Sequence, residues 1–263
     1  MKNLITIFSI IFAIMLAFYF LILKPEKYEQ KDLYDQIMKR GKLIVGINTD
    51  SRPFGFYDEK GIVQGYDADL ARYIAEYVVK SRNSVEFVSV TPSNRLLKAS
   101  TGEVDIVIAT MTITPQREEI ISFSVPYDIA GQALLVPKGS KITSIGELGG
   151  QNVGVIFGTT AEKNIQNMVP NANVLGFKSY HDAYVALKNK QINAITSDDT
   201  ILKEFALNDK DVVLLPKRYT REPYGIGFKK GKTTERLKQE LDFAINDLKQ
   251  KNVISRLHKK WGL

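Results

Sequence analysis

Residues 104–117 read VDIVIATMTITPQR, from Val104 to Arg117. The stretch begins as a short run of β-branched apolar residues, which is typical of a buried parallel strand. It ends in Thr114-Pro115, a pair that predicts a helix N-cap followed by the first helical residue. The stretch therefore predicts a strand-to-helix corner of an open α/β sheet.

Arg117 falls in the first turn of that predicted helix, where a cation opposes the helix dipole at a cost of roughly 0.3–1 kcal/mol. Such a position is favourable if an anion binds there. The hydroxyls of Thr110 and Thr112 would then complete a pocket for a small carboxylate. The alternative is a surface ion pair between Arg117 and Glu118 or Glu119, and exposed pairs contribute little to stability.

Composition narrows the function classes. The 263 residues suit one large or two modest domains, and the net charge of +7 favours anionic ligands or an anionic membrane surface. The basic residues are scattered, which argues against nucleic acid. The absence of cysteine excludes disulfides, thiolate zinc sites and cysteine nucleophiles. The two histidines, His181 and His258, are far apart, so we predict no metal site and no cofactor.

The N-terminus carries a long apolar run. Residues 4–23 are interrupted only by Thr6 and Ser9, and as a helix they span about 30 Å, enough to cross a bilayer. No A-x-A pattern of small residues marks a cleavage point, so residues 1–23 favour an uncleaved anchor over a signal peptide, which remains the alternative. Residues 24–40 predict a polar linker with a short helix that ends before Gly41.

Strands and helices alternate from Leu43 onward. The first run has strands at 43–47, 85–90 and 104–108, with Asp67 as the predicted cap of the helix between the first two. A second run has strands at 152–156, 174–177 and 192–196, again with helices between them. This order predicts two α/β lobes in tandem, and ligands of open α/β sheets bind at the carboxyl ends of strands.

Two further corners lie at such strand ends. Gly158-Thr159-Thr160 offers free N–H groups and hydroxyls before a helix, which suits an anion or an ordinary cap. At Asp198-Asp199 one carboxylate can cap a helix and the other can receive an ammonium, unless both are simply solvated. Because burying an unpaired charge is costly, Arg117 and Asp198 facing one cleft would bind a zwitterion.

Catalytic motifs are missing from the sequence. There is no G-x-S-x-G and no phosphate-binding glycine-rich loop. We expect His181 and His258 to be surface or structural residues. The protein is therefore not predicted to be an enzyme.

Several segments match one known family in order and spacing. They are Gly41–Gly46, Gly65–Leu70, Gly102–Asp105, Ala109–Arg117, Phe123–Tyr127, Tyr224–Ile226 and Lys260–Leu263. The chain resembles the bacterial extracytoplasmic solute-binding proteins of family 3, which serve polar amino-acid ABC importers. The resemblance covers almost everything from Gly41 to the end.

The resemblance implies an α/β, two-lobed, periplasmic-binding-protein-like type II fold that closes at a hinge. Lobe 1 would comprise residues 41–130 and 223–263, and lobe 2 residues 131–222. The hinge would lie near Ala130–Gln132 and Arg221–Tyr224. The predicted N-terminal transmembrane or signal helix precedes this fold.

The resemblance also implies a ligand set. Arg117 would clamp the α-carboxylate with Thr112 and the Thr159-Thr160 corner. Asp198 would hold the α-ammonium, with the Thr110 carbonyl nearby.

Two further residues complete the predicted set. Arg95, in Ser93-Asn94-Arg95, resembles the arginine that meets the distal carboxylate in glutamate- and aspartate-binding members, and its fork suits both oxygens. Asp50 lies in the loop after the first strand. Ser51 departs from the family, since many relatives carry an aromatic residue there, and Asn48 stands where others carry Asp or Lys.

The predicted function is a membrane-tethered, monomeric receptor that presents glutamate or aspartate, with glutamine also open, to an ABC permease and its ATPase. It would lie outside the cytoplasm, on the cell surface or in the periplasm. Two alternatives stay open: a dehydratase-like enzyme on the same scaffold, and a sensory module that reports an amino acid to a partner.

Overall fold

A computed structural model describes residues 10–19 and 32–263. Residues 10–19 form a helix, α1. Of the helices described, none is both long and apolar enough to span a bilayer. The rest of the predicted anchor and residues 24–31 of the predicted linker lie outside the described residues. The anchor and its signal-peptide alternative therefore stay predictions.

From Leu33 onward, helices and strands alternate. The helices are α2 (Leu33–Arg40), α3 (Tyr66–Val79), α4 (Arg95–Thr101), α5 (Pro115–Glu118), α6 (Thr160–Met168), α7 (Tyr180–Lys188), α8 (Asp199–Asn208), α9 (Glu235–Gln250) and α10 (Val253–Trp261), with short 3-10 helices at Ile145–Leu148 and Lys232–Thr234. The strands are β1 (Leu43–Asn48), β2 (Asp50–Ser51), β3 (Gly55–Tyr57), β4 (Val63–Gln64), β5 (Val85–Val90), β6 (Ile106–Val107), β7 (Ile121–Phe123), β8 (Asp128–Ala130), β9 (Gln132–Pro137), β10 (Asn152–Ile156), β11 (Asn173–Phe177), β12 (Ala194–Asp198), β13 (Val212–Leu214), β14 (Glu222–Tyr224) and β15 (Gly227–Lys229).

Two five-stranded sheets organise the chain into two lobes. The sheet of lobe 1 has the order β5-β1-β6-β15-β7, and that of lobe 2 the order β11-β10-β12-β9-β13. In each sheet three strands pair in parallel, around β1 in lobe 1 and β10 in lobe 2, and the other two strands join antiparallel. The predicted α/β class with two tandem lobes is confirmed.

The chain passes twice between the lobes. β8 leads from the first sheet toward β9, and β14 leads back toward β15. The two strands pair antiparallel with each other, with Ala130 opposite Glu222 and Asp128 opposite Tyr224. The predicted hinge segments are therefore neighbours in the fold, and the lobe boundaries predicted from sequence stay a prediction.

Helices cover the sheet of lobe 1 because their apolar faces need burial. On α3 the side chains of Leu70, Ala71, Ile74 and Val78 are fully buried, at the spacing of one helix face. Val45 and Ile106 of the neighbouring strands are equally buried. The apolar strand run thus forms a core that fixes the strand ends, where the site residues lie.

Asp67 is not the helix cap that the sequence predicts. The N-cap position of α3 belongs to Gly65, with φ of 123°, and no side chain caps it. A Cβ on Gly65 would lie 2.1 Å from the Phe54 carbonyl oxygen. Only glycine permits this close approach, and it turns Asp67 inward, where its side chain is buried.

Candidate binding site between the two lobes

Arg117 joins the two lobes. Thr114 is the predicted N-cap of α5, and its hydroxyl accepts a hydrogen bond from the Arg117 backbone N–H at 3.3 Å. The guanidinium donates from Nη1 to the Thr112 carbonyl at 2.7 Å and from Nη2 to the Gly158 carbonyl of lobe 2 at 3.0 Å. No ion pair links Arg117 to Glu118, Glu119 or any other carboxylate of residues 32–263, so the surface-pair alternative is wrong.

Arg95 is a buried cation. It begins α4, and only 3% of the residue is exposed. Its Nη1 donates to the carbonyls of Ala109 and Thr110, the latter at 3.2 Å. Its Nε is buried and has no hydrogen-bond partner in the part of the chain that the structure describes. Burial lowers the pKa of Arg95, and the neighbouring Asp198 opposes that shift.

Asp198 is the buried anion that faces these cations from lobe 2. It is 7% exposed and accepts a hydrogen bond from the Tyr224 hydroxyl at 2.5 Å. Burial raises the pKa of Asp198 to about 7 against the hydrogen bond from Tyr224, and the charge of Glu222 raises it further. Asp198 is therefore neither a side-chain cap of α8 nor a solvated residue.

Asp199 takes a different role. Its carboxylate accepts from the Gly131 backbone N–H at 3.0 Å and forms an ion pair with Arg218. The two adjacent carboxylates are thus separated in function, since one is bound at the chain crossing and the other faces the site.

The Gly158-Thr159-Thr160 corner divides its roles. Thr159 occupies the N-cap position of α6, but its hydroxyl donates back to the Ile156 carbonyl at 2.7 Å instead of capping the helix. The Thr160 hydroxyl donates to Glu222 at 3.0 Å. Gly158 has φ of 78°, and a Cβ there would lie 2.5 Å from the Pro92 carbonyl oxygen of lobe 1.

The charges of these residues act on one another. Burial lowers the pKa of Arg117 to about 9, and the positive charge of Arg95 lowers it further. Asp198 and Glu222 act in the opposite direction. Two cations, Arg95 and Arg117, and two carboxylates, Asp198 and Glu222, therefore share one site between the lobes.

The structure gives Asp50 a different setting from the other predicted ligand residues. Its carboxylate accepts a hydrogen bond from the Tyr180 backbone N–H at the start of α7, at 2.8 Å. Burial raises the pKa of Asp50, and the bond from Tyr180 opposes that shift. Asp50 thus contacts lobe 2 from lobe 1 at the edge of the site.

A groove of about 470 Å³ lies beside Asp50. Lobe 1 contributes residues 49–52, Phe56 and Tyr57, and lobe 2 contributes residues of α7 and α8 such as His181 and Phe205. Arg117 and Asp198 do not line it. Among the described residues no group of three His, Asp or Glu side chains could hold a metal ion.

Sequence reasoning missed three buried polar residues of the site. Tyr224 donates a hydrogen bond to Asp198, and Glu222 accepts one from Thr160. Burial raises the pKa of Tyr180, the charge of Asp198 raises it further, and the charge of Arg95 opposes the shift. Tyr224 and Glu222 both lie in the predicted hinge segment, but the sequence analysis gives neither side chain a role in the ligand site. Nothing in the local pattern around Glu222 distinguishes it from a surface carboxylate.

Comparison with known proteins places the chain in a family. The model of the bacterial extracellular solute-binding proteins, family 3, matches residues 43–263. The chain belongs to this family. The predicted resemblance is therefore confirmed, and the family description agrees with a location outside the cytoplasm.

Two relatives are similar over most of their length. The ABC transporter glutamine-binding protein GlnH of Bacillus subtilis (strain 168) is 37% identical over 240 residues, which cover 90% of this chain and 87% of the relative. The glutamine-binding protein of Geobacillus stearothermophilus is 41% identical over 195 residues, covering 73% of this chain and 74% of the relative. Both are named as binding proteins and neither as an enzyme.

A solved structure shows the same fold. The ancestral amino acid-binding protein AncCDT-1, described as a precursor of cyclohexadienyl dehydratase, has a TM-score of 0.80 and 33% identity, and the match covers 87% of this chain and 98% of that one. This neighbour is itself named for amino-acid binding. The comparison therefore assigns no catalytic residue to this chain and adds no support to the dehydratase-like alternative.

Proposed function

We propose that this protein is the substrate-binding component of an amino-acid ABC importer and captures a polar L-amino acid between its lobes. The observation that supports the proposal is that Arg117 of lobe 1 donates to the Gly158 carbonyl of lobe 2 and is influenced by the charge of buried Asp198, while neither residue forms an ion pair with the other described residues. Opposite charges at a shared site fit the two ends of a zwitterion, since each charge then gains a partner.

The orientation of the ligand follows from the donors and acceptors. The Arg117 guanidinium, beside Thr112 and the start of α6, suits the α-carboxylate because its planar fork can pair both oxygens. Asp198 and the Thr110 carbonyl are acceptors for the α-ammonium. Thr160 donates a hydrogen bond to Glu222 and so supports the ammonium end of the site. The Thr159 hydroxyl instead donates to the Ile156 carbonyl within its own turn.

Arg95 selects the ligand side chain. Its buried Nε lacks an acceptor among the described residues, and a side-chain carbonyl or carboxylate oxygen would supply one. Glutamine is our first candidate because a neutral zwitterion preserves the balance between two cations and two carboxylates. The names of the two relatives support this choice over the glutamate or aspartate that the sequence pattern favours.

Several wider features belong to the same proposal. We propose that lobe 1 comprises residues 41–130 and 223–263 and lobe 2 residues 131–222, with closure at β8 and β14. Residues 4–23 would tether a monomer to the outer face of the membrane. The loaded receptor would then dock on an ABC permease with its ATPase.

Isothermal titration calorimetry of the full chain in detergent tests the proposal. Glutamine, glutamate, aspartate, asparagine, arginine and histidine are titrated in turn, and we expect saturable binding that is tightest for glutamine. A thermal-shift assay checks the ranking, since a ligand at 100 times its Kd adds about 2.7 kcal/mol of stability. If no amino acid binds, the receptor function is wrong; if only arginine or histidine binds, the role of Arg95 is wrong.

A further inference from the structure

Thr110 has an unusual backbone conformation. Its φ is 48°, in the left-handed region, although it is β-branched and only 3% exposed. Residues with a branched Cβ rarely adopt this conformation because the side chain crowds the backbone. A strained residue of this kind persists only when its surroundings hold it in place.

Asp67 and Tyr127 provide that hold. The Thr110 backbone N–H donates to Oδ2 of Asp67 at 3.0 Å and to the Tyr127 hydroxyl at 3.2 Å. The same hydroxyl donates to Oδ1 of Asp67 at 3.0 Å. All three groups are buried, so the bonds form a closed network without competition from water.

Gly65 brings the carboxylate to this place. Because it has no side chain, α3 can start directly against the Phe54 carbonyl, which accepts from the Asp67 backbone N–H at 2.9 Å. The segment Gly65-Tyr66-Asp67 thus delivers a carboxylate beneath the corner that follows β6. Two separate sequence motifs, 65–67 and 109–111, therefore form one structural unit.

The carbonyl of Thr110 is the functional end of that unit. It accepts a hydrogen bond from Arg95 at 3.2 Å, and in the proposed function it also receives the ligand ammonium. Rotating Thr110 out of the left-handed region would redirect this carbonyl, since φ and ψ fix where the peptide oxygen points. Arg95 would lose an acceptor in the same change.

We propose that Asp67 is a positioning residue that sets ligand affinity by holding Thr110 in its left-handed conformation. This inference rests on the proposed function. Asp67 does not touch the ligand itself, because its carboxylate is taken up by Thr110 and Tyr127. If Asp67 only stabilised the core, its removal would lower stability, and the effect of that removal on ligand affinity would not depend on the residue at position 110.

A double-mutant cycle separates these roles. Glycine adopts positive φ without strain, so Thr110→Gly removes the need for Asp67. Kd for glutamine is measured for the full chain and for D67A, T110G and D67A/T110G. We expect D67A to weaken binding by about tenfold or more, since a buried N–H loses its charged acceptor. The double variant should bind at least about threefold more tightly than D67A, a coupling beyond ordinary additivity.

Two variants act as controls. Asp69, in the same turn of α3, pairs with Arg72 and Lys260 instead of the corner, and D69A should leave Kd unchanged. Asp67→Asn keeps one acceptor oxygen and replaces D67A in the cycle if D67A does not fold. We expect it to lose less affinity for glutamine than D67A, and T110G should again recover that affinity. The proposal is overturned if folded D67A binds like the parent or if T110G gives no recovery in either background.

Hydrogen–deuterium exchange tests the same hold without any ligand. The Thr110 amide is compared with the Ile108 amide, which donates to the Gly46 carbonyl at 2.9 Å in the adjacent strand. In D67A, and not in D69A, the Thr110 amide should exchange about tenfold faster relative to Ile108. An unchanged ratio would overturn the positioning role, whereas failure of all amino acids to bind would overturn only the proposed function.

Discussion

The two lobes hold the corners of the proposed binding site in different ways. Thr110 in lobe 1 and Gly158 in lobe 2 both have positive φ, 48° and 78°. Thr110 is held by Asp67 and Tyr127, which belong to its own lobe. Gly158 instead lies against Pro92 and accepts from Arg117, both of which belong to the opposite lobe.

This difference indicates that the corner of lobe 1 is preorganised, whereas the corner of lobe 2 is completed by closure of the lobes. The corner of lobe 1 can keep its shape whether or not the lobes meet, because none of its supports crosses the cleft. The contacts of Gly158 exist only when the lobes meet. Lobe 1 is therefore expected to define which ligand fits, and lobe 2 to link binding to closure, as in hinge-bending proteins.

Removing Arg117 should have the largest effect because this residue serves both corners. Arg117→Ala removes the proposed partner of the α-carboxylate and the bond to the Gly158 carbonyl. Loss of one member of a buried charge pair costs about 2–5 kcal/mol, so calorimetry should show binding weakened by roughly 30-fold to several thousandfold for every amino acid. Arg117→Lys keeps the positive charge but not the planar guanidinium, so it should lose less affinity than R117A. Retained binding by R117A would contradict the proposed carboxylate clamp.

Gly158→Ala should have the next largest effect, and it tests the contact that the corner of lobe 2 makes with lobe 1. The new Cβ would meet the Pro92 carbonyl, so the lobes could not close as they do here. Strain of about 1–3 kcal/mol corresponds to roughly a 5- to 150-fold loss of affinity.

Gly139 offers a matched control for that variant. It also has φ of 78°, but a Cβ there would meet nothing within 4 Å. Gly139→Ala should therefore lower the melting temperature without changing Kd. If the two variants change Kd equally, the contact with Pro92 has no role in closure.

A pH titration of ligand affinity tests Asp198, one of two buried carboxyl groups with a raised pKa. Burial raises the pKa of Asp67 in lobe 1 and of Asp198 in lobe 2 to about 7 each. The proposed contact with the ligand ammonium needs Asp198 ionised, so affinity should fall as the pH drops below 7, by at most about tenfold per unit. Calorimetry between pH 8 and pH 5.5 measures this fall, and Asp198→Asn should bind weakly with a flat profile.

Stability should change in the opposite direction over the same range. A carboxyl whose folded pKa lies above its unfolded value binds protons more tightly in the folded state. Its contribution to stability therefore improves as the pH falls from about 7 toward the unfolded value near 4. The melting temperature of D67N and D198N should each show less of this rise than the parent. Parallel loss of affinity and stability on acidification would contradict the assignment.

The comparison of the two corners also shows which features of the site can be predicted from local sequence patterns. The corners at Arg117 and Asp198 were predictable, because a strand end followed by a cap is a local signal. The bond between Asp67 and Thr110 joins residues 43 positions apart, and that between Asp198 and Tyr224 joins residues 26 apart. No local pattern contains such pairs. Asp67 was misassigned as a cap for this reason, since an acid in a first helical turn gives the same signal in either setting.

Asp50 provides the smallest expected effect and a direct test of closure from the lobe 1 side. Its carboxylate accepts from the Tyr180 N–H of lobe 2 at 2.8 Å, in a part-buried position. A single bond in this setting contributes about 1 kcal/mol, so Asp50→Ala should weaken binding of every amino acid by roughly fivefold. Asp182→Asn, in the first turn of α7, controls for the general charge at that helix start and should leave Kd unchanged. Because Asp50 contacts the opposite lobe, the loss should be equal for glutamine and glutamate; a loss confined to one of them would instead make Asp50 a ligand contact.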